Sequence, residues 1–324
     1  MAPEPFLVGL ALFDLVYLLV TLALADRFFS KTPEVRDPVF SPPVSIIVPI
    51  RGKDDGIYEN FLSLSRQDYP YVQVIFAVGE PNDPALSVIH RVIQDCPDRD
   101  ISLVISDRKI GINDKVNNLE NGYQQAKYDY LVFIDSDIRV GPDYLRQIIP
   151  PLSDDRMGLV TCMPAYRESQ NLPAALELVG VNSNVFAMFI PLFLLGGMRY
   201  GSGATLAMRR QVLEEIGGFK SVADRVADDA AIGQRVSEKG YRVYLSPTIV
   251  HTIHQQYSWR EYFFHTLRWN RTIRAVTPGA YISFALFFGT FYAFLVWVLN
   301  LRNVWAMAFF VSMSFIRILL MSYY

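Results

Sequence analysis

The sequence predicts an α/β protein, a Rossmann-like and mostly parallel sheet, with apolar membrane helices on its N- and C-terminal sides. Three observations lead there. Four short β-rich runs alternate with helical patterns between residue 44 and about residue 140. The last of these runs closes on Asp135-Ser136-Asp137, two carboxylates at the strand end where open α/β sheets bind ligands. Apolar stretches at residues 6–25, 281–301 and 304–324 flank this region, and each is long enough to consider as a bilayer span.

The elements follow in order. Residues 44–49, 73–78, 101–106 and 130–134 are short runs rich in β-formers, and the last is a continuous apolar run, the pattern of a strand buried on both faces. Helical patterns at 58–67, 84–94 and 114–126 separate them, which implies right-handed crossovers and a parallel sheet. Residues 33–43 are polar and proline-bearing, a linker. Beyond Asp137 the order loosens. Residues 172–195 are apolar with Glu177, Asn182, Ser183 and Asn184 among them and a break at Pro191; a core helix and an interfacial amphipathic helix both fit. Residues 196–203 hold four glycines, either a flexible turn or backbone that must approach a ligand closely. Asp228 and Asp229 open a helical pattern ended by Gly240, a position where capping and the helix dipole alone favour acids. Ser258 and Glu261 form a capping box for a helix on which His265, Arg268 and Trp269 share one face. Such a basic and aromatic face serves headgroup contact, interface anchoring, or the bidentate grip of an Arg on phosphate.

Of the 324 residues, 51% are hydrophobic and 19% charged, which fits a globular domain anchored in a membrane. Residues 6–25 carry one charge, Asp14, and lack a basic n-region and a cleavage site, so they read as an anchor and not a signal peptide. The two C-terminal stretches read as a hairpin turning at Arg302, with Arg317 expected to snorkel or pair. Arg27, Lys31 and Arg36 follow the first span, and Arg268, Arg271 and Arg274 precede the second, so the domain between should face the cytosol. Cys96 and Cys162 give no disulfide framework, in keeping with a reducing compartment. A net charge of −2 argues against nucleic acid as a partner. The expected division is an anchor at 1–29, an α/β domain with interfacial helices at 44–275, and membrane helices at 280–324.

Asp-Ser-Asp is ordinary turn composition, but after a buried strand it also suits a hard cation, Mn²⁺ or Mg²⁺, bridged to a diphosphate. Further segments accompany it: Asn82-Asp83-Pro84-Ala85, Lys109-Ile-Gly-Ile-Asn113 followed by Lys115-Val-Asn-Asn118, Ala227-Asp-Asp229, and Leu267-Arg-Trp269. Together they resemble the inverting, membrane-bound glycosyltransferases of the GT-A fold, with their pattern D, DxD, D, (Q/R)xxRW. The closer resemblance is to ceramide glucosyltransferases and the hopanoid glycosyltransferases. It covers roughly residues 44–275, and the K-x-G-x-N…K-x-N-N segment is its most specific part.

The resemblance implies a role for each matching residue. Asp83 matches the first Asp, at the uridine end of a UDP-sugar donor, and Lys115 a donor-site lysine suited to a phosphate oxygen. Asp135 and Asp137 match the DxD of the metal site, Asp137 holding the cation and Asp135 the ribose or the metal-bound diphosphate. Asp229 matches the catalytic base, although spacing alone does not separate it from Asp228. Arg268 and Trp269 match the last motif, near diphosphate and acceptor, while His265 departs from the usual Gln or Arg. The implied reaction moves a hexose, best guess glucose, from UDP to a hydroxyl of a membrane lipid, best guess ceramide. Alternatives are another lipid acceptor with UDP-GlcNAc as donor, a processive polysaccharide synthase, and a nucleotide-sugar-binding pseudoenzyme.

Overall fold

The structure is a computed structural model and describes residues 3–30, 39–253 and 256–321. Residues 33–38 of the expected linker, with Lys31 and Arg36, lie outside the described residues, as do 322–324 of the last apolar stretch. After α1 (Glu4–Ser30) come β1 (Val44–Ile50), α2 (Ile57–Ser65), β2 (Val72–Val78), α3 (Leu86–Asp95), β3 (Asp100–Ile105), α4 (Asp114–Tyr123) and β4 (Tyr130–Phe133). The chain continues through β5 (Ile138–Arg139), α5 (Tyr144–Ile148), β6 (Met157–Arg167), α6 (Leu172–Leu194), β7 (Leu206–Arg209), α7 (Arg210–Glu215), α8 (Asp228–Glu238) and β8 (Arg242–Ile253). It ends with α9 (Trp259–Val276), α10 (Pro278–Ser283), α11 (Gly289–Leu299) and α12 (Val304–Met321). Two compact units result. One holds the sheet and its helices; the other holds α1, α6 from Asn182 onward, and α9 to α12.

In the first unit the sheet order is β3-β2-β1-β4-β7-β6-β8-β5. All seven residues of β1 are buried, and all but Ser45 are apolar. Phe61 of α2 packs on Phe76 of β2 with ring centroids 4.5 Å apart. The polar residues inside these strands are satisfied: Ser45 Oγ donates to Gln73 Oε1 at 2.8 Å, and Gln73 Nε2 donates to the carbonyl of Gln125 at 3.1 Å. The four strands expected from the sequence are present and parallel in the order β3-β2-β1-β4. The whole sheet is mixed: six of its eight strands run the same way, and the other two run against them. β7 runs antiparallel to both β4 and β6, and β5 antiparallel to β8, with β6 and β8 parallel. The difference begins where strands and helices stop alternating. Without a βαβ crossover, no handedness rule dictates the direction of the next strand.

In the second unit, Ala11, Ala293 and Met313 form a buried cluster among α1, α11 and α12. Asp14 and Arg317, the two charges that stood out in the apolar stretches, pair with each other at 2.7 Å. The backbone N–H of Gly289 also donates to Asp14 Oδ2, at 3.1 Å. A Cβ at Gly289 would lie 2.4 Å from that oxygen, so α11 must begin on glycine to approach α1 this closely. Residues 281–301 are not one helix: they pass from α10 through a 3₁₀ turn at Phe284–Phe287 into α11. Among the described residues α1 is the one helix long and apolar enough to cross a membrane. The 11 residues of α11 rise only about 16 Å.

Candidate active site

Helix α4 is unusual in burying polar residues, and each of them does a positional task. Asn113 caps it, accepting from the N–H groups of Lys115 and Val116, while its own amide donates to the carbonyl of Arg225 at 2.7 Å. Asn117 Oδ1 accepts from the N–H groups of Ile110 and Gly111 at 2.8 and 3.1 Å. Asn118 donates to the carbonyl of Ile50 at the end of β1 at 2.9 Å, and Asn121 to the carbonyls of Ser106 and Arg108 at 3.2 and 3.1 Å. Glycine is required at two contacts: a Cβ at Gly122 would lie 2.6 Å from Ile47, and one at Gly111 2.5 Å from Ala223. The K-x-G-x-N…K-x-N-N segment is therefore a clamp that fixes the backbone of Lys115 between the β1 end and the chain leading into α8.

From that clamp the Lys115 ammonium reaches Asp135 Oδ1 at 2.6 Å and lies 3.7 Å from Asp228 Oδ2. The glycine-rich segment brings in the third carboxylate. Gly203 N–H donates to Asp229 Oδ2 at 2.8 Å, and Asp229 Oδ1 accepts from the N–H of Ala230 at 2.8 Å. A Cβ on Gly203 would stand 2.7 Å from Asp135 Oδ2, 2.8 Å from Lys115 Nζ and 3.4 Å from Asp229 Oδ2. The same segment fits against α8 because Gly233 has no side chain; a Cβ there would meet Gly201 N at 2.4 Å. Of the two readings of the glycine segment, the close approach is the one observed, and what it approaches first is the charged cluster itself.

Charge in this cluster is unevenly shared. Burial pushes the Asp135 carboxyl up to about 7; the Asp137 charge acts the same way and the Lys115 charge opposes it. Burial would lower Lys115, but the carboxylates of Asp135, Asp228 and Asp229 outweigh it and keep the ammonium protonated. Asp228 is 4% exposed and its pKa is raised, chiefly by that burial. Asp229, one residue on, is only half-buried. Within the DxD, Ser136 Oγ donates to Asp54 Oδ2 at 2.6 Å and Asp137 accepts the Ile253 N–H on its carbonyl at 3.1 Å, which leaves its carboxylate out of the strand pairing.

Asp83 stands at the neighbouring strand ends. Its two oxygens accept from the N–H groups of Gly52 and Ala85, both at 2.8 Å, so it ties the loop after β1 to the one after β2. His265, Arg268 and Trp269 lie on α9 in the other unit. There the Trp269 indole N–H donates to His265 Nε2 at 3.2 Å, and no residue of α9 is buried. The structure thus brings together Lys115, Asp135 and Asp229 from three distant parts of the chain. Asp228 entered the sequence reading only as the alternative base, and Gly203 and Asn113 were given no role of their own in this cluster. The density of glycines at 196–203 and of asparagines at 113–121 was the available signal.

Gly203→Ala tests the closeness of this packing. The added methyl must displace either Asp135 or Lys115, neither of which can leave without exposing the other's charge. We expect thermal stability to fall, by less than the loss of a core side chain would cause, read by calorimetry.

The protein is 26% identical over 241 residues to ceramide glucosyltransferase 3 of Caenorhabditis elegans, covering 74% of this chain and 52% of that protein. The chain spans about half the length, or less, of the curated relatives it matches. Its fold matches that of the mannosyltransferase PcManGT from Pyrobaculum calidifontis, solved with GDP-Man and Mn²⁺, at a TM-score of 0.60 and 21% identity over 96% of this chain and 86% of that one. It also matches GalNAc-T7, solved with UDP, GalNAc and Mn²⁺, at a TM-score of 0.50 and 12% identity over 68% and 45% of the two chains. The α/β unit accordingly has the GT-A fold. The profile of glycosyl transferase family 21 matches residues 6–323, nearly the whole length, and the chain belongs to that family.

Proposed function

We propose that this protein moves a hexose, glucose by the best match, from UDP to the hydroxyl of a membrane lipid, ceramide by the best match, with inversion at the sugar. The observation that carries this reading is the convergence of Lys115, Asp135 and Asp229 around Gly203 at the strand ends. A cation for the donor and a base for the acceptor are the two needs of this chemistry, and the cluster offers carboxylates for both. The ceramide glucosyltransferase relative supports the substrates, and α1 supports a membrane setting. Arg27 in the last turn of α1, with Arg268, Arg271 and Arg274 along α9, supports a cytosolic catalytic domain.

The residues fit a divalent cation. The Asp137 charge adds to the burial that raises Asp135, a repulsion that Mn²⁺ or Mg²⁺ relieves, and among the described residues no cluster of three or more metal-binding side chains forms a closed cage. Two carboxylates without a cage suit a hard cation that takes its remaining oxygens from diphosphate and water. Asp137, with Asp135 beside it, would hold the ion, which when bound neutralises charge on the departing diphosphate. Lys115 contributes a fixed ammonium to the same oxygens, and Asp83 steadies the loops at the uridine end. Asp229 takes the proton of the acceptor hydroxyl, its carboxylate aimed by the Gly203 N–H. One displacement with the base opposite the leaving group inverts the anomeric carbon, and no protein acid is needed because the leaving group is already an anion.

The deciding experiment incubates the full chain in bilayer nanodiscs with UDP-glucose or UDP-GlcNAc and ceramide, with mass spectrometry of the lipids. One hexose per lipid and stoichiometric UDP is the expected result; a long glycan would favour a processive synthase, and no turnover with nucleotide binding a pseudoenzyme. On α9, Arg268→Lys keeps charge but loses the two-pronged fork, so it should lower kcat more than it raises the donor KM. Trp269→Ala should mainly weaken lipid use, and His265→Gln, which retains a hydrogen-bond acceptor, should be tolerated. An inactive His265→Gln beside a normal Arg268→Lys would transfer the phosphate contact to the histidine.

A further inference from the structure

One charged group in the cluster has no task in the mechanism above. Asp228 is 4% exposed, and its Oδ2 has no hydrogen-bond partner. A buried carboxylate oxygen left without a donor is costly, and the bonds this carboxyl makes to its own backbone N–H and to Asn113 leave Oδ2 unpartnered. The nearest cation is the Lys115 ammonium at 3.7 Å, beyond hydrogen-bond distance, because that group is drawn to Asp135 at 2.6 Å. The Lys115 backbone cannot follow its side chain. The Asn113 cap and the buried face of α4 hold it. Only the side chain is free to choose between the two carboxylates, and a shift of about 1 Å would bring it within bonding range of Asp228.

We propose that Asp228 is a positioning residue for Lys115, receiving its ammonium when Asp135 turns to the donor nucleotide. Lys115 then stays in the site, aimed by a buried carboxylate, and is not released to solvent as its first partner is engaged elsewhere. The unsatisfied oxygen belongs to the ligand-free arrangement and becomes bonded in the liganded one. This rests on the donor-site reading of Lys115 and Asp135 given above, and it assigns to Asp228 a role separate from that of Asp229.

The test uses the full chain in detergent, with UDP and Mn²⁺ as the probe and calorimetry for affinity. Asp228→Asn removes a buried charge that is poorly bonded without ligand, so its ligand-free melting temperature should be equal to or above the parent's. UDP should nevertheless bind about tenfold more weakly, and the donor KM should rise more than kcat falls. Asp228→Glu should recover part of the affinity. A purely structural Asp228 would show the opposite pattern, lower ligand-free stability with unchanged UDP affinity, and that result overturns the proposal. The pair Lys115→Met and Lys115→Met/Asp228→Asn makes the test independent of whether Asp228→Asn folds alone. Equal UDP affinity in these two shows that Asp228 acts through Lys115, and a further tenfold loss in the double variant shows that it does not. A parent that binds neither UDP nor GDP with Mn²⁺ overturns the donor-site reading itself, and this proposal with it.

Discussion

Asp229→Asn is expected to abolish transfer, lowering kcat by at least the 10²–10⁴-fold typical of a lost proton-transfer group, while UDP affinity stays within about threefold of the parent. Both Asp229 oxygens accept backbone N–H groups, from Gly203 and Ala230. An amide satisfies only one of those donors, so a stability loss of about 1–3 kcal/mol should accompany the change. Melting curves therefore belong beside the kinetics, to separate a dead enzyme from an unfolded one. Asp228→Asn should show the reverse, with weakened nucleotide binding and residual turnover at saturating donor. Near-normal turnover in Asp229→Asn together with a dead Asp228→Asn would move the base one residue toward the N-terminus.

Removal of the cation is expected to have an effect of the same size. Turnover should vanish in excess chelator and return with Mn²⁺ or Mg²⁺, and Asp137→Asn should not be rescued by either. Full turnover in chelator, with metal shown absent by elemental analysis, would overturn the cation's role. The pH dependence has a definite sign. In the ligand-free protein Asp135 is raised from an ordinary 3.8 to about 7, so the folded state holds this proton more tightly than the unfolded chain does. The stability gained from it is complete below about pH 4 and is lost as pH rises through about 7. A cation must displace the same proton. Mn²⁺ affinity should therefore strengthen by up to about tenfold per pH unit until about pH 7 and level off above it, as read by paramagnetic resonance of free Mn²⁺. An affinity that is flat between about pH 5.5 and 7 would remove Asp135 from the cation's surroundings.

Much of this was legible in the chain. Runs such as residues 44–50 and 130–133 announce themselves because a strand buried on both faces is mostly apolar and admits a polar residue only with a partner, as Ser45 has in Gln73. The boundaries of α4 and α8 were readable for a related reason: Asn113 and the acids at 228–229 mark helix starts whose free N–H groups need acceptors. The direction of β7 was not legible. A strand of four residues between a glycine-rich segment and a short helix carries no local mark of parallel or antiparallel pairing. The break at residues 284–287 was equally hidden, since it depends on how α11 meets Asp14, 275 residues away in the chain from Gly289.

The sequence by itself determined which residues could do chemistry and where strands would end, because buried runs, caps and paired carboxylates are local patterns with local causes. It also marked Asp14 and Arg317 as groups that needed partners, since a charge in an apolar helix is expensive wherever that helix goes. Only the tertiary structure decided which charge answers which. Lys115, Asp135 and Asp228 meet because three asparagines of α4 and the missing side chains at Gly111, Gly122, Gly203 and Gly233 let separate segments close until the ammonium lies 2.6 Å from one carboxylate and 3.7 Å from the other. Asp228 and Asp229, equivalent in composition and adjacent in the chain, part for the same reason. Successive residues at the start of a helix point about 100° apart, so one is buried against a lysine and the other is left half-buried beside the Gly203 N–H.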